Sequence, residues 1–389
     1  MDSDFLTIGF AVFASILSAE GNELGFHVGK LSIAILEKNK TKENIPWVYN
    51  TYFCMITPFY ISIHNVIDPL MKSFTVSIEV GSHSSCVLSG AGYFFHAFIS
   101  GKPLKDLAED VDDMVASFPA TNTRCTQSIH QAIHNLIEER KKNPAVLTGQ
   151  HFDNSYCFAW GEKECDKSRV TVISCIVAYI FHDYKLALEL VDNCIPIQNF
   201  IRGTYFYPTF LFYDSLIRLA SLQGNGINVQ DKNRIVESNL TQLKKLSNSA
   251  PENYLNKCYL IEAEIAAMSN NGQAMINYEK STELSKKHCF LHEEAISCER
   301  AALFLLRSGF TTQGNQQLKR ACKCYEDWGA ASKKYHLIQE YPLLKDVEEL
   351  PVLCETELLL DDKSLASVSL LSDNDTFASL HSSKRAKLS

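Results

Sequence analysis

A triplet of residues, small then large then small, recurs along this 389-residue chain and constrains its fold more than any other feature. Two copies lie 40 residues apart, and a third lies nearer the N-terminus. A fourth fits the pattern less closely, because its middle residue is glycine. The triplets are Ala274/Tyr278/Ser281, Gly314/Leu318/Ala321, Ala187/Val191/Cys194 and Gly25/Gly29/Ser32. Small residues let two helices approach closely, and the larger one fills the gap between pairs. Since no pair can bury its apolar face alone, the pairs must stack.

These triplets predict an all-α fold, a tetratricopeptide-like α-solenoid of stacked antiparallel helix pairs. A period of 40 exceeds the ~34 residues of a tetratricopeptide repeat, so each helix should be about one turn longer. Within 203–222, five apolar residues recur at helical spacing and predict a helix with one apolar face. They are Phe206, Phe210, Tyr213, Ile217 and Ala220.

A second predicted helix starts near residue 249. Ser249 resembles an N-cap, Glu252 follows three residues later, and Pro251 fits a first turn. The apolar stripe expected to follow comprises Tyr259, Ala263, Ala266 and Ala267.

Changes in composition divide the chain into four segments. We predict N-terminal helical repeats over 1–142 and tetratricopeptide-like C-terminal repeats over 168–344. The turn-rich segment 143–167 between them is expected to be an irregular surface loop. Residues 345–389 are rich in Ser, Asp, Glu and Leu, which indicates a disordered tail.

The charge of the chain argues against a nucleic-acid partner. Its formal net charge is −8, whereas a nucleic-acid binder normally presents a basic face. The 13 cysteines form no CxxC pair, which favours reduced, mostly buried thiols in a cytoplasmic protein. A short basic cluster in the predicted tail, Lys384, Arg385 and Lys387, is the kind of sequence that a nuclear-import receptor reads.

Two apolar runs were considered as targeting or membrane segments. The run from Phe5 to Leu17 follows Asp2 and Asp4, where a secretory signal would carry basic residues. It is also shorter than the ~20 residues that span a bilayer. We interpret it as a core helix and expect no membrane contact; the run from Val170 to Phe181 receives the same interpretation.

Three segments partly match motifs of phosphate-binding, metal-binding or acid–base sites. The segment Gly25–Leu31 contains Gly29-Lys30 but has the wrong glycine spacing for a phosphate loop. The segment His292–Glu299 lacks the second histidine of a metalloprotease helix and should open a helix with its acids near the N-terminus. Four acids on a predicted helix, Glu109, Asp110, Asp112 and Asp113, are interpreted as its solvated face.

His130 and His134 are the strongest candidate metal ligands. They stand four residues apart, so they share one face of a predicted helix, and Cys125 lies nearby. No Glu follows His130 as in a zincin, and spacing suggests no third ligand. We therefore favour a solvated helix face and predict no catalytic, cofactor or metal site, keeping a metal-dependent enzyme as a less favoured hypothesis.

Three stretches resemble a known helical module. They are SAPENYLNKCYLIEAEIAAM (249–268), NYEKSTELSKKHCFLHEEAISCERAALFLLRSGF (277–310) and QQLKRACKCYEDWGAASKKYHLIQEYPLL (316–344). Together with weaker matches back to residue 5, they are similar to the tetratricopeptide-like arm of fungal and bacterial hybrid kinases. Those proteins join the arm to a serine/threonine kinase-like domain, an AAA-type ATPase, a GAF domain and a histidine kinase.

The resemblance implies packing and capping roles and transfers no catalytic residue. The matching positions are Ala301, Ala302, Trp328, Gly329, Ala330 and Tyr341-Pro342. The kinase, ATPase, GAF and histidine-kinase modules are not found in this sequence, so we expect no intrinsic enzyme activity.

The expected function is a protein-interaction scaffold of a histidine-kinase-type phosphorelay. The partner would be another protein, such as a related kinase or ATPase, and the oligomeric state is left open. The alternative is a small-molecule-sensing arm that controls such a partner and binds its ligand beside 143–167.

Overall fold

The computed structural model describes residues 3–39, 42–153, 164–222, 229–269 and 271–349. The described residues form sixteen α-helices, four short 3-10 helices and no β-strand beyond an isolated antiparallel bridge between Thr148 and Asp153. The helices are α1 Ser3–Ala19, α2 Leu24–Asn39, α3 Ile45–Met55, α4 His64–Glu79, α5 His83–Ser100, α6 Leu104–Ser117, α7 Arg124–Ile137, α8 Glu164–Ile180, α9 Tyr184–Cys194, α10 Phe206–Leu222, α11 Val229–Ser247, α12 Pro251–Met268, α13 Gln273–Lys287, α14 Leu291–Arg307, α15 Thr311–Trp328 and α16 Ala331–Glu340. The 3-10 helices are Thr57–Phe59, Pro119–Thr121, Ile195–Ile201 and Pro342–Glu349.

Adjacent helices pack as pairs, and the predicted α-solenoid is confirmed. The pair α12/α13 begins at Pro251 and the pair α14/α15 at Leu291, which is the predicted interval of 40 residues. All twelve triplet residues are buried, and each triplet lies on the second helix of a pair: α2, α9, α13 or α15. The triplets therefore mark the faces on which helices meet.

The pair α1/α2 shows why these positions need small residues. A Cβ added at Gly25 would lie 2.7 Å from the Ala14 carbonyl oxygen and 2.7 Å from the Ser18 amide nitrogen, both in the α1 backbone. Gly9, in contrast, has nothing within 4 Å of such a Cβ. The two helices therefore touch backbone to backbone at Gly25.

We expect Gly25→Ala to destabilise the fold by about 1–3 kcal/mol, because the added methyl group must push α2 away from α1. The matched variant Gly9→Ala should be neutral or stabilising by up to ~1 kcal/mol, since alanine is the better helix former. Urea unfolding followed by circular dichroism measures both changes. Equal effects of the two substitutions would contradict the close contact.

Helix α12 corrects one prediction about its start. The helix begins at Pro251, as expected for a first-turn proline, but Ala250 occupies the N-cap position and no side chain caps the helix. Ser249 is therefore not the N-cap. The predicted stripe is only partly correct, because Ala263 is buried while Tyr259 is half-buried.

Helix α12 also connects distant parts of the chain. The Asn253 side chain accepts a hydrogen bond from the Ile63 amide at 2.9 Å and donates to the Pro58 and Ile61 carbonyls at 2.9 and 2.7 Å. Helices α5 and α10 are also in contact, since the Phe95 and Phe206 rings stack with their centroids 3.4 Å apart. One buried apolar core accordingly runs from Ile63 to Leu344, and smaller clusters hold α1 to α2 and α3.

The two apolar runs differ in how far their side chains are buried. The run from Val170 to Phe181 is a buried core segment formed by α8 and the residue after it, as predicted. The run from Phe5 to Leu17 lies in α1, where Ile8 packs against a small core cluster. The core-helix interpretation is wrong for Phe13 and Ile16, which are 51% and 57% exposed. Small residues of α1, among them Ala11 and Ala14, face the core instead.

No described helix is both long enough and apolar enough to cross a membrane.

The ends of the predicted segments are only partly described. Residues 143–153 are non-helical, 154–163 lie outside the described residues, and α8 already begins at Glu164. Residues 345–349 belong to the 3-10 helix Pro342–Glu349, and the rest of the predicted tail lies outside the described residues. That remainder includes Lys384, Arg385 and Lys387.

Of the residues expected to pack or cap helices, Pro342 is exposed, Tyr341 is the C-cap of α16, and the others are buried or cap a helix. Ala301, Ala302, Trp328 and Ala330 are at most 1% exposed. Gly329 has a left-handed φ of 90° and forms the C-cap of α15, a conformation that favours glycine.

Candidate functional site

Three histidine rings converge on one small region beside α7. His130 and His134 lie on α7, and His151 belongs to the irregular segment that follows it. One ring nitrogen of each histidine lies within 4.8 Å of the other two. The ring centroids are 3.7 Å apart for His130 and His151, 4.3 Å for His134 and His151, and 4.9 Å for His130 and His134.

Helix α7 positions the first two rings. Its start is capped by Thr123, whose side-chain oxygen accepts a hydrogen bond from the Thr126 amide at 3.3 Å. His130 and His134 are one turn apart and therefore share a face. The sequence predicted that this face is solvated. The prediction is wrong for His130, which is only 5% exposed. Cys125 is buried on the same helix but is not part of the histidine group.

Two buried amides on α7 hold the segment that carries His151. Gln131 accepts a hydrogen bond from the His151 amide at 3.0 Å and donates to the Asn135 side chain at 2.8 Å. Asn135 in turn donates to the Pro144 and Val146 carbonyls, both at 2.8 Å. The chain thus returns along α7 and places the His151 ring against the other two.

Gly149 permits this close return of the chain. A Cβ at this position would lie 2.6 Å from Gln131 Oε1 and 2.7 Å from Gln131 Nε2. The Gly149 amide donates to the Phe152 carbonyl at 2.9 Å, and the Phe152 side chain is buried. The position of His151 is therefore determined by backbone contacts on both sides of it.

The electrostatic environment keeps the three imidazoles neutral. Burial, together with the neighbouring histidines, lowers the pKa of His130 to about 4, and burial also lowers the pKa of His134 and of His151. A neutral imidazole has a free lone pair, which is the form that binds metal ions. Nε2 of His130 and Nε2 of His134 are both buried and lack a hydrogen-bond partner.

One member of the acid cluster on α6 faces this group. Asp112 Oδ1 lies 3.4 Å from His130 Nε2, without the alignment of a hydrogen bond. Asp112, Glu109 and Asp113 are exposed, as predicted for a solvated face. Asp110 departs from that prediction, since it is half-buried and accepts hydrogen bonds from Tyr93 and Lys102.

The remaining sequence candidates have structural roles. The segment Gly25–Leu31 lies inside α2, where Gly25 and Gly29 contact α1 and α3. Helix α14 begins at Leu291, so Glu293 and Glu294 do lie in a first turn as predicted. The eleven described cysteines are free thiols, and eight of them are buried.

Buried ion pairs were missed by the sequence analysis. Glu264 on α12 accepts two hydrogen bonds from the Arg300 guanidinium, at 2.8 and 2.6 Å, and one from the Tyr278 hydroxyl at 2.6 Å. Glu299 pairs with Lys333 at 2.7 Å and with His182 at 2.8 Å. These charges are buried between helix pairs and connect α12, α14 and α16 with the helices around them.

The exposed face of α1 is the second notable surface. Leu6, Val12, Phe13 and Ile16 follow helical spacing along one side of α1, and we call them the α1 stripe. Each is between 39% and 57% exposed. On α2, Leu24 and Leu31 are similarly exposed and lie seven residues apart.

In comparisons with known proteins, no family model and no curated protein matches the chain.

Proposed function

We propose that this chain is a protein-docking module of a signalling complex and that α1 inserts the α1 stripe into a hydrophobic groove of its protein partner. The single observation that carries the proposal is the orientation of α1: the four large apolar side chains of the α1 stripe face outward, while Ala11, Ala14 and the partly buried Ile8 face the core. A solvated helix has the opposite arrangement.

The α1 stripe has the spacing that helix-in-groove recognition uses. In that mode one amphipathic helix, here α1, inserts apolar anchors at i, i+3, i+4 and i+7 into a hydrophobic groove of the other protein. Phe13 and Ile16 are three residues apart, Val12 and Ile16 four, and Leu6 and Phe13 seven. Contiguous apolar patches exposed on a protein surface mark interaction sites, so the α1 stripe favours a protein partner.

The resemblance to the hybrid-kinase arm suggests the class of partner, a related kinase or ATPase of a phosphorelay. The helical architecture supports a scaffold role, since repeat folds commonly present extended protein-binding surfaces. No catalytic role is part of the proposal.

We expect the double substitution Phe13→Glu/Ile16→Glu to weaken partner binding by about 10–100-fold. Both side chains are about half exposed, so each gains about half of the ~1.5–3 kcal/mol of full burial, and every 1.4 kcal/mol is tenfold in Kd. The fold should be retained, because both residues are exposed. A candidate kinase or ATPase identified by affinity capture is purified, and its Kd for each variant is measured by calorimetry.

The matched control is Ile276→Glu, which changes an exposed isoleucine on α13 (45% exposed) and should leave binding unchanged. An unaltered Kd for the double variant would reject the α1 stripe as the docking surface. Light scattering of the chain alone tests self-association: a concentration-dependent dimer that the double substitution abolishes would replace the proposed partner with a second copy.

A further inference from the structure

We propose that His130, His134 and His151 bind one Zn²⁺ ion and that the exposed Asp112 carboxylate, which lies beside His130, turns in as the fourth ligand. This inference is independent of the docking proposal, because the histidine group lies on α7 and the segment after it, not on α1. The sequence-based alternative places a small-molecule ligand beside 143–167, and the present proposal replaces that ligand with a metal ion. The described part of that segment brings an imidazole to two others, and imidazole chemistry favours a metal ion.

The distances between the candidate ligand atoms are close to those of a zinc site. Tetrahedral coordination with Zn–N distances of ~2.0–2.1 Å places ligand atoms about 3.3 Å from one another. Asp112 Oδ1 and His130 Nε2 already lie 3.4 Å apart. The three histidine nitrogens lie within 4.8 Å of one another, so shifts of about 1 Å bring them to this spacing. The Asp112 carboxylate is outside that group, and its exposed side chain must rotate further to join it.

The unpartnered nitrogens provide the second argument. Buried polar atoms are nearly always hydrogen-bonded, and an exception needs an explanation such as a bound ion. His130 is 5% exposed, and its Nε2 has no hydrogen-bond partner although it faces a carboxylate and two other imidazoles. A metal ion bound among these groups would satisfy the lone pairs of His130 Nε2 and His134 Nε2 together.

The third argument is that the surroundings hold the ligands in place. Metal sites depend on outer residues that orient their ligands. Here Gln131 fixes the backbone of His151, and Asn135 fixes the chain before it through Pro144 and Val146. These amides are themselves buried and paired with each other. The site is therefore built on a helix and a tethered segment, and its ion would fasten both to α6 through Asp112.

The test uses the full chain without a histidine tag, stripped of metal by chelation, and then titrated with Zn²⁺ or Co²⁺ alone. We expect one equivalent to bind, the visible absorption of four-coordinate Co²⁺ to appear, and Zn²⁺ to raise the Tm. His151→Gln should weaken binding by more than the ~10–100-fold that loss of an outer residue costs. Asp112→Asn should weaken Zn²⁺ binding less than His151→Gln, because three histidine ligands remain.

The matched control is His27→Gln, which removes an exposed histidine of α2 and should leave Zn²⁺ affinity unchanged. Circular dichroism checks that each variant is folded, and His134→Gln replaces His151→Gln if the latter unfolds. No binding at one equivalent, or equal affinity of His151→Gln and wild type, would overturn the proposal. Failure of this site leaves the α1 docking experiment unaffected, so the two proposals are tested separately.

Discussion

Replacing Arg300 with methionine should destabilise the fold by about 3–5 kcal/mol, because it leaves the Glu264 carboxylate buried without its cation. Arg300 and Glu264 have side-chain exposures of 3% and 1%, and two guanidinium nitrogens bond the carboxylate. The adjacent charge of Arg300 holds the pKa of Glu264 below its usual value despite burial. After the substitution, of the groups that bond the Glu264 carboxylate, only the Tyr278 hydroxyl remains.

A double-mutant cycle separates the pair from the packing around it. The variant Arg300→Met/Glu264→Met should be less destabilised than Arg300→Met alone, since it removes the uncompensated charge as well. Lys323→Met is the control, because Lys323 forms exposed ion pairs with Glu326 and Asp327 on the same helix and should cost under ~1 kcal/mol. Glu264→Met alone completes the cycle, and urea unfolding at neutral pH gives the free energy of unfolding of the wild type and the four variants. If Arg300→Met lowers the free energy of unfolding no more than Lys323→Met does, the buried pair does not stabilise the fold as described.

Acidification should destabilise the protein below pH 6.5. Burial lowers the pKa of His96 to about 4 and that of His292 to about 3, from an ordinary value of 6.5. The unfolded chain takes up protons at these residues below pH 6.5, whereas the folded chain does not until pH 4 or 3. Stability is therefore fully present above pH 6.5 and is lost as the pH falls, by about 1.4 kcal/mol per pH unit for each histidine.

The contribution of His96 is measured by removing its titration. In the variant His96→Phe, the free energy of unfolding should fall less steeply between pH 6.5 and 4, by about 1.4 kcal/mol per pH unit. His27→Gln, at an exposed position, should keep the slope of the wild type. Other buried histidines act in the same direction, so the comparison of slopes is the informative quantity. Identical slopes for His96→Phe and wild type would show that His96 does not resist protonation in the fold.

Much of the helical architecture could be predicted from the sequence, because its signals are local. The triplet Ala274, Tyr278 and Ser281 marks a helix face, and burial of all three residues confirms it. Such spacing reports which side of a helix meets a neighbour. It does not report whether a neighbour is present on the other side, and for this reason the exposure of Phe13 and Ile16 was missed.

The candidate metal site was only half predictable. The four-residue interval between His130 and His134 places both on one helix face, so the sequence identifies that pair. His151 joins them only because Gln131 and Asn135 tether the following segment to α7. This tethering is a tertiary contact within a non-helical segment, for which the sequence has no periodic signal. The buried pair of Glu264 and Arg300 was missed for a similar reason, since its members are 36 residues apart.

The contacts of Asn253 have a consequence for how the protein folds and unfolds. In a linear repeat array, each unit contacts only its neighbours, and the ends can open independently of the middle. Here a single amide joins residues about 190 positions apart in the chain, at Pro58, Ile61 and Ile63. Such a link closes a long loop, which raises contact order and slows folding. It also couples the opening of the early helices to that of α12, so this part of the chain behaves as one cooperative unit instead of a row of independent repeats.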